Sequence, residues 1–239
     1  MENYKLLKNV GQLNYDNGYV KKAKHFDLLT KAEYATIIKN RCEAFIVQNK
    51  RIMNPVDDLE TKSYFLWIEN PAGEMVACVR ILPPHHAYTY KDRTYSVWDK
   101  AWITDPTVSL FPVPGFSDAN AYIWTPEWVE RTTGCANSIM DLYTDTHSIM
   151  MFFQKHMPHL RHIGSEIDEY GYDGFKWVYE PTPLEEAQQI IGKFIEQANE
   201  QESQSETTQT TLNLVYDKTT RRIPSYTQRG SEISSLCYS

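Results

Sequence analysis

The sequence predicts a mixed α/β fold, because segments with strand character alternate with segments that have the period of helices. Residues 63–70 and 75–83 are rich in β-forming residues, and Asn70-Pro-Ala-Gly73 between them is typical of a hairpin turn. Apolar residues recur every three or four positions within residues 34–46 and again within residues 139–153. Those two stripes predict amphipathic helices that pack against the strands.

Length and composition favour a soluble enzyme. The chain has 239 residues, of which 41% are hydrophobic, and this is enough to form a core. A chain of this length is expected to form one large domain or one domain with appendages. A net charge of −7 argues against a mainly electrostatic nucleic-acid binder. No apolar run approaches the roughly 18 residues of a membrane span, and no signal peptide opens the chain. The four cysteines lack the C-x-x-C spacing of a zinc site. We therefore expect a cytoplasmic protein that does not contact membranes.

In the first half, residues 19–29 alternate as an entering strand would. Thr30 is predicted to cap the next helix, with Glu33 completing a capping box, and the helix is expected to reach about Val47. Residues 84–120, rich in proline and aromatic side chains, read as an irregular insertion. Residues 121–129 (AYIWTPEWV) then form the fourth strand, and the proline within them indicates an edge position or a bulge.

In the second half, residues 160–167 and 175–180 are predicted as the fifth and sixth strands. Beyond Pro181 an amphipathic helix runs over about 184–198, and the polar residues 201–211 are expected to be mobile. Residues 211–217 are a possible last strand, which would complete the sheet in cis, reach the second subunit of a homodimer, or do neither. The predicted domains are accordingly 1–181 and a C-terminal segment, 182–239.

The hexamer Arg131-Thr-Thr-Gly134-Cys-Ala136 has the spelling R-x-x-G-x-A. Such a loop at the start of a helix can direct backbone N–H groups and the positive end of the helix dipole at a phosphate. Gly134 would let the backbone approach closely, and Arg131 would add a fixed positive charge. The candidate phosphate-binding residues are Arg131, Thr132, Thr133, Gly134, Cys135 and Ala136. The alternative is an ordinary helix start capped by threonine.

Together with Tyr170-Gly-Tyr-Asp-Gly174-Phe175, a Y-x-x-x-G-F pattern, the hexamer resembles the coenzyme A loop and catalytic tyrosine of the GCN5-related N-acyltransferases. The resemblance implies that acyl-CoA is a co-substrate and that Tyr170 protonates the leaving thiolate. It also implies that backbone groups around Val129 polarise the thioester carbonyl. Glu127 is the candidate base or water relay. The alternative for the tyrosine is an aromatic turn packed under a strand.

The first half resembles the acyl-homoserine lactone (autoinducer) synthases, relatives with the same fold. The shared features are Arg41-Cys-Glu-Ala-Phe45, an acidic group, and a hairpin that ends in Arg80-Ile-Leu-Pro83. The residues interpreted as substrate-binding are Asp57, Asp58, Glu60 and Arg80. The three carboxylates would hold a cationic substrate amine, and the alternative is a hydrophilic loop.

The chain departs from the synthases at the predicted fourth strand, where they carry W-E-x-S-R and this chain has Trp124-Thr-Pro-Glu-Trp128. Both resemblances together cover roughly residues 18 to 180. They imply the acyltransferase fold, a mostly antiparallel central sheet flanked by helices, with a V-shaped opening between strands four and five.

The sequence therefore predicts transfer of an acyl group from acyl-CoA to the amine of a small molecule or a protein, by direct attack in a ternary complex. Two alternatives stay open: a synthase-like or otherwise diverged enzyme that uses S-adenosylmethionine, and a binding protein that keeps the fold without catalysis. His156, His159 and His162 straddle a proline and are interpreted as a solvated turn, so we expect no metal site.

Overall fold

The computed structural model describes residues 9–14, 18–87, 94–104, 121–142, 157–167 and 170–219. The strands in these ranges are β1 Asn9–Asn14, β2 Val20–His25, β3 Tyr64–Glu69, β4 Met75–Leu82, β5 Ser96–Ile103, β6 Ser138–Leu142, β7 Leu160–Ile167 and β8 Asp173–Tyr179. The helices are α1 Lys31–Arg41, which continues as a π-helical segment Cys42–Gln48, α2 Ala121–Thr133 and α3 Leu184–Thr219. None of the helices in the described ranges combines the length and the apolar character that a bilayer span requires.

Within those ranges the strands form a single eight-stranded sheet in the order β1-β2-β3-β4-β5-β6-β8-β7. Every neighbouring pair is antiparallel except β5 and β6, which are parallel. A parallel pair needs a crossover, and α2 lies within the connection between its two strands. The predicted mixed α/β fold with a mostly antiparallel sheet is confirmed.

Local signals in the first half of the chain are confirmed. The Thr30 hydroxyl accepts a hydrogen bond from the Glu33 backbone N–H at 3.1 Å, and the Glu33 carboxylate accepts one from the Thr30 N–H at 2.8 Å. This capping box starts α1 where the sequence predicts it. The β3–β4 turn is also as predicted, with the Asn70 side-chain oxygen accepting from the backbone N–H groups of Ala72 and Glu74.

The predicted fourth strand is wrong. Residues 121–129 belong to α2, and the fourth strand counted from β2 is β5, from the segment interpreted as irregular. Thr125, Trp128, Val129 and Thr132 are all buried, a helical spacing of three, four and seven residues. Aromatic and β-branched composition made this helix resemble a strand, and Pro126 is accommodated inside it.

Two further elements differ from the prediction. Residues 138–142 form strand β6 instead of the start of a helix, and the rest of that predicted helix, through Phe153, lies outside the described residues. The strands predicted at 160–167 and 175–180 are present as β7 and β8, the last hairpin of the sheet. Residues 201–219, predicted as a polar linker and a possible strand, continue α3.

The chain divides into two compact units between Asn199 and Glu200. The first contains the whole described sheet with α1 and α2. The second, in its described part, is the helical segment 200–219.

Apolar residues cover both faces of the sheet. On the α2 face the buried cluster includes Tyr64, Leu66, Val79, Ile81, Trp98, Trp128, Val129, Met140 and Trp177. The opposite face carries two clusters, one of Ile37, Phe45, Phe65, Trp67, Cys78 and Trp102, and one of Leu82, Tyr95, Val97, Cys135, Ile139, Val178, Ala187 and Ile191. Since side chains alternate along a strand, Arg80 lies between Cys78 and Leu82 on this second face. A charged residue therefore separates the two apolar clusters.

Candidate active site

The sheet opens between β5 and β6. Their pairing runs from Ser96↔Ser138 to Trp98↔Met140, and in the described residues it stops there although β5 continues to Ile103. The sequence places the V-shaped opening between residues 121–129 and 160–167, whereas the described strands that part are β5 and β6. The backbone of β5 beyond Trp98 borders this cleft.

A β-bulge lies at the point where the strands part. Cys78 of β4 pairs with Trp102, and Arg80 pairs with Asp99, so Lys100 and Ala101 together oppose one residue of β4. Lys100 has φ of 48°, in the left-handed region that non-glycine residues rarely occupy. The bulge predicted at Pro126 is therefore at Lys100–Ala101, on the actual fourth strand.

Arg80 is the centre of a buried ionic cluster beside the cleft. Its guanidinium donates in a fork to Asp99, with Nε–Oδ1 and Nη2–Oδ2 distances of 2.7 Å each. Nη1 of the same side chain donates to Asp57 at 2.6 Å and to Glu60 at 3.0 Å. A planar guanidinium suits this arrangement, because its donors reach three carboxylates at once.

Two more cations complete the cluster. Arg41, at the end of α1, donates to Glu60, and Lys100 donates to Asp57 at 2.6 Å. Arg41, Arg80 and Lys100 thus balance Asp57, Glu60 and Asp99. The side chains of Arg41, Glu60 and Arg80 are almost fully buried, whereas that of Asp57 is 37% exposed. Asp57 is the member of the cluster that solvent or a substrate can reach.

The cluster shifts the pKa values of its members. Burial alone would raise the pKa of Asp57 and of Asp99, but hydrogen bonds and charge from Arg80, with help from Lys100, lower both, and the pKa of Asp57 lies well below the ordinary carboxyl range. Burial lowers the pKa of Lys100, and the nearby Arg80 charge acts in the same direction. Asp57 is therefore a permanent anion at neutral pH, suited to binding a cation and too weakly basic to accept its proton readily.

Tyr170 and Tyr172, in the β7–β8 turn, contact a different part of the chain. The Tyr170 hydroxyl accepts a hydrogen bond from the Asn54 backbone N–H at 3.2 Å, and the Tyr172 hydroxyl accepts one from the Ile52 N–H at 2.8 Å. The Arg51 guanidinium lies 5.0 Å from the centre of the Tyr172 ring. The Tyr170 side chain is 39% exposed.

No protein-family model and no curated protein matches the sequence. Solved structures do. An acyl-CoA N-acyltransferase from Pseudomonas aeruginosa is 16% identical, with a TM-score of 0.50 over 66% of this chain and 97% of that chain. The fold is that of the acyl-CoA N-acyltransferases.

Other similar structures have lower TM-scores. Escherichia coli ElaA is 15% identical, with a TM-score of 0.49 over 67% of this chain and 98% of its own. The autoinducer synthase TofI, in a ternary complex with an inhibitor and MTA, is 14% identical, with a TM-score of 0.47 over 72% of this chain and 96% of its own.

The predicted phosphate loop does not begin a helix in this acyltransferase fold. Arg131–Thr133 end α2, and Gly134, with φ of 81°, follows as its C-terminal cap, its N–H donating to the Glu130 carbonyl at 2.8 Å. Strand β6 comes next. A helix C-terminus carries partial negative charge and repels phosphate, so the physical ground for the coenzyme A assignment is wrong.

The other residues assigned to that loop lie in α2 or in the short segment between α2 and β6. Val129 is fully buried within α2 instead of bordering the cleft, and Thr132, Thr133, Cys135 and Ala136 are buried as well. The Thr133 hydroxyl donates to the Val129 carbonyl at 2.8 Å and accepts from the Cys135 N–H at 3.3 Å, which closes the helix end. Arg131 is exposed and pairs with Glu127 four residues earlier at 2.8 Å.

The sequence predicts Glu127 on the fourth strand as the candidate base. It lies on α2 with its side chain 53% exposed, in that surface ion pair. On a strand the Glu127 side chain would face the cleft, but α2 is a helix and does not have that strand geometry.

The residues predicted to bind the substrate are Asp57, Asp58, Glu60 and Arg80. Asp57, Glu60 and Arg80 are brought together, while Asp58 is exposed. Sequence reasoning missed Asp99 and Lys100, which lie on β5, in the segment interpreted as an irregular insertion. The sequence did contain a signal for them. An acidic and a basic residue stand among the aromatic residues of β5, and a charged residue buried in such a strand needs a partner.

Proposed function

We propose that this protein transfers an acyl group from acyl-CoA to an amine acceptor by direct attack of the amine on the thioester within a ternary complex. The observation that carries the proposal is the parting of β5 from β6 beside the bulge at Lys100–Ala101, in an acyltransferase fold. A cleft of this kind exposes strand backbone to a ligand.

In this proposal the exposed backbone of β5 binds the pantetheine arm as an added strand would bind. Backbone N–H groups at the bulge, around Lys100 and Ala101, polarise the thioester carbonyl. The sequence predicts this role for the backbone around Val129. Such donors stabilise the oxyanion because they are already oriented before the reaction.

Asp57 is the proposed contact for the acceptor ammonium. It is the accessible carboxylate of the ionic cluster, and its low pKa keeps it charged. A group this acidic holds the ammonium, so the amine loses its proton to water in the cleft. Tyr170 remains the proposed proton donor to the departing thiolate. Its hydroxyl accepts one hydrogen bond and still carries its own proton, and the ordinary pKa of a phenol is comparable to that of a thiol.

A ligand panel tests the proposal by thermal shift. Coenzyme A at 100 times its Kd is expected to add about 2.7 kcal/mol to the stability, which raises Tm by several degrees. Adenosine, which lacks the pantetheine arm, serves as the matched control and is expected to leave Tm unchanged. An unchanged Tm with coenzyme A and with acetyl-CoA would contradict the proposal and favour the binding-protein alternative.

One observation supports a second candidate, a synthase-like enzyme that uses S-adenosylmethionine. With the fourth strand now at β5, the segment to compare with W-E-x-S-R is Trp98-Asp99-Lys100-Ala101-Trp102. Asp99 supplies the acidic position and forks with Arg80, whereas Trp102 occupies the basic one. A rise in Tm with S-adenosylmethionine and none with coenzyme A would favour this candidate.

A further inference from the structure

The segment 51–57 is held from both ends. At its start, Ile52 and Asn54 donate their backbone N–H groups to Tyr172 and Tyr170. At its end, Asp57 is fixed by Arg80 and by Lys100, each at 2.6 Å. At the first anchor Ile52 is 78% exposed, so apolar packing of its side chain contributes little to holding the segment there.

The two anchors lie on opposite sides of the cleft. Tyr170 and Tyr172 precede β8, and β8 pairs with β6, so the tyrosines belong to the β6 side. Arg80 and Lys100 lie on β4 and β5, the other side.

The crossing occurs at the open end of the cleft. Phe175, near the start of β8, pairs with Leu142, the last residue of β6, at the end where β5 and β6 have separated. The turn with the two tyrosines therefore lies beside the wide end, and the segment 51–57 connects it to the β4–β5 half.

We propose that residues 51–57 are a strap across the mouth of the cleft, and that Tyr170 and Tyr172 are positioning residues that hold it there. The strap sets the place of Asp57 and restricts the path of the acceptor. Its hold on the β6 side includes two hydrogen bonds to exposed backbone and one cation–ring contact, each of the modest strength that allows release and re-formation as the acceptor enters. The role in acceptor entry rests on the proposed function, whereas the strap itself does not.

Hydrogen exchange on the full chain tests the strap. In Tyr172→Phe the ring and its stacking with Arg51 persist, but the acceptor of the Ile52 N–H is lost. Exchange of the Ile52 amide is expected to accelerate at least fivefold, and Tyr170→Phe/Tyr172→Phe is expected to extend this acceleration to Asn54. Tyr179→Phe, at the far end of β8, is the matched control and is expected to leave both amides unchanged.

Trypsin gives a second measurement, because Arg51 lies within the strap. Cleavage after Arg51 is expected to be at least fivefold faster in Tyr172→Phe than in the parent, at an unchanged Tm. Parental exchange at Ile52 together with parental cleavage after Arg51 would overturn the strap.

Kinetics separate this proposal from the proposed function. Tyr172→Phe is expected to change the KM for the acceptor at least threefold while the KM for acyl-CoA stays constant. An equal change in both KM values would overturn the acceptor role. A parent that transfers no acyl group contradicts the proposed function, and exchange and trypsin cleavage still decide whether the strap exists.

Discussion

Arg80 illustrates how one residue organises the site. Its five-donor group holds Asp57 and Glu60, from the connection before β3, and Asp99, from the neighbouring strand β5. Removing one partner from a buried ion pair leaves the other charge without compensation, which costs more than the pair itself contributes. The cluster is therefore most sensitive at Arg80.

Arg80→Met is expected to destabilise the fold by about 3–5 kcal/mol, since Asp99 would stay buried without the guanidinium that pairs with it and Glu60 would keep only Arg41. Arg131→Met, which removes an exposed pair with Glu127, is the control and is expected to cost no more than about 1 kcal/mol. Urea denaturation measures both. A loss below about 1 kcal/mol in Arg80→Met would contradict the account of the cluster.

The cluster also predicts how stability depends on pH. The folded-state pKa of Asp57 lies below its ordinary value of 3.8, so its stabilising contribution is present above that value and is lost as the pH falls below it. Asp57→Asn is therefore expected to lose less stability than the parent between pH 6 and pH 3. Urea midpoints across this range measure the difference, and the exposed Asp58→Asn is the control that is expected to follow the parent.

Variants of Tyr170 and Tyr172 distinguish a catalytic role from a positioning role. If Tyr170 protonates the leaving thiolate, Tyr170→Phe lowers kcat by roughly two to four powers of ten and Tyr172→Phe does not. If both only hold the strap, the two variants affect kcat alike and alter acceptor KM. Steady-state kinetics distinguish these results, and a fully active Tyr170→Phe would exclude the acid role.

At the scale of elements, α2 shows how a short motif depends on its context. The R-x-x-G-x-A spelling gives equally good grounds for a phosphate loop before a helix and for a glycine cap after one. The second applies here, because residues 121–133 are helical and β6 follows directly. Gly134 then serves the left-handed conformation of the helix end.

Gly134→Ala is expected to destabilise the protein by about 1 kcal/mol, since a Cβ is strained at a φ of 81°. The control is Gly192→Ala in the interior of α3, where nothing lies within 4 Å of the added Cβ and where alanine is expected to stabilise by about 0.5–1 kcal/mol. Thermal unfolding measures both. Abolished coenzyme A binding in a folded Gly134→Ala protein would instead support a phosphate loop.

At the scale of the molecule, the first turns of α3 complete the core of the unit that contains the sheet. Ala187, Ile191, Phe194 and Ala198 are buried, and the first two pack with Leu82, Val97 and Ile139. The unit ends at Asn199, just after the last of them. The part of α3 that the sheet needs is therefore its N-terminal part.

Truncation after Asn199 is expected to leave a cooperatively folded unit whose Tm lies within a few degrees of the parent. Truncation after Pro183 is the contrasting variant; it removes the buried α3 residues and exposes the apolar surface beneath them, so a loss of several kcal/mol is expected. Calorimetry compares the two. Non-cooperative melting after truncation at Asn199 would show that residues 200–239 are needed for the fold.

The sequence by itself determined the features that depend on neighbours a few residues apart. The Thr30 capping box, the Asn70–Gly73 turn and the start of the last helix follow from local hydrogen-bond chemistry and helical spacing. The resemblance to the autoinducer synthases also pointed to Asp57, Asp58, Glu60 and Arg80, and the structure brings all of them except Asp58 into one ionic cluster.

Only the tertiary structure decided which aromatic segment is the fourth strand and which is the helix. Residues 96–103 and 121–133 are both rich in residues that favour strands, and the choice depends on pairing with β4 and on burial of one helical face. Asp99 belongs to the ionic cluster because β5 places it opposite Arg80 of β4. Tyr172 and Ile52, 120 positions apart, meet through the path of the whole chain, which no local pattern encodes.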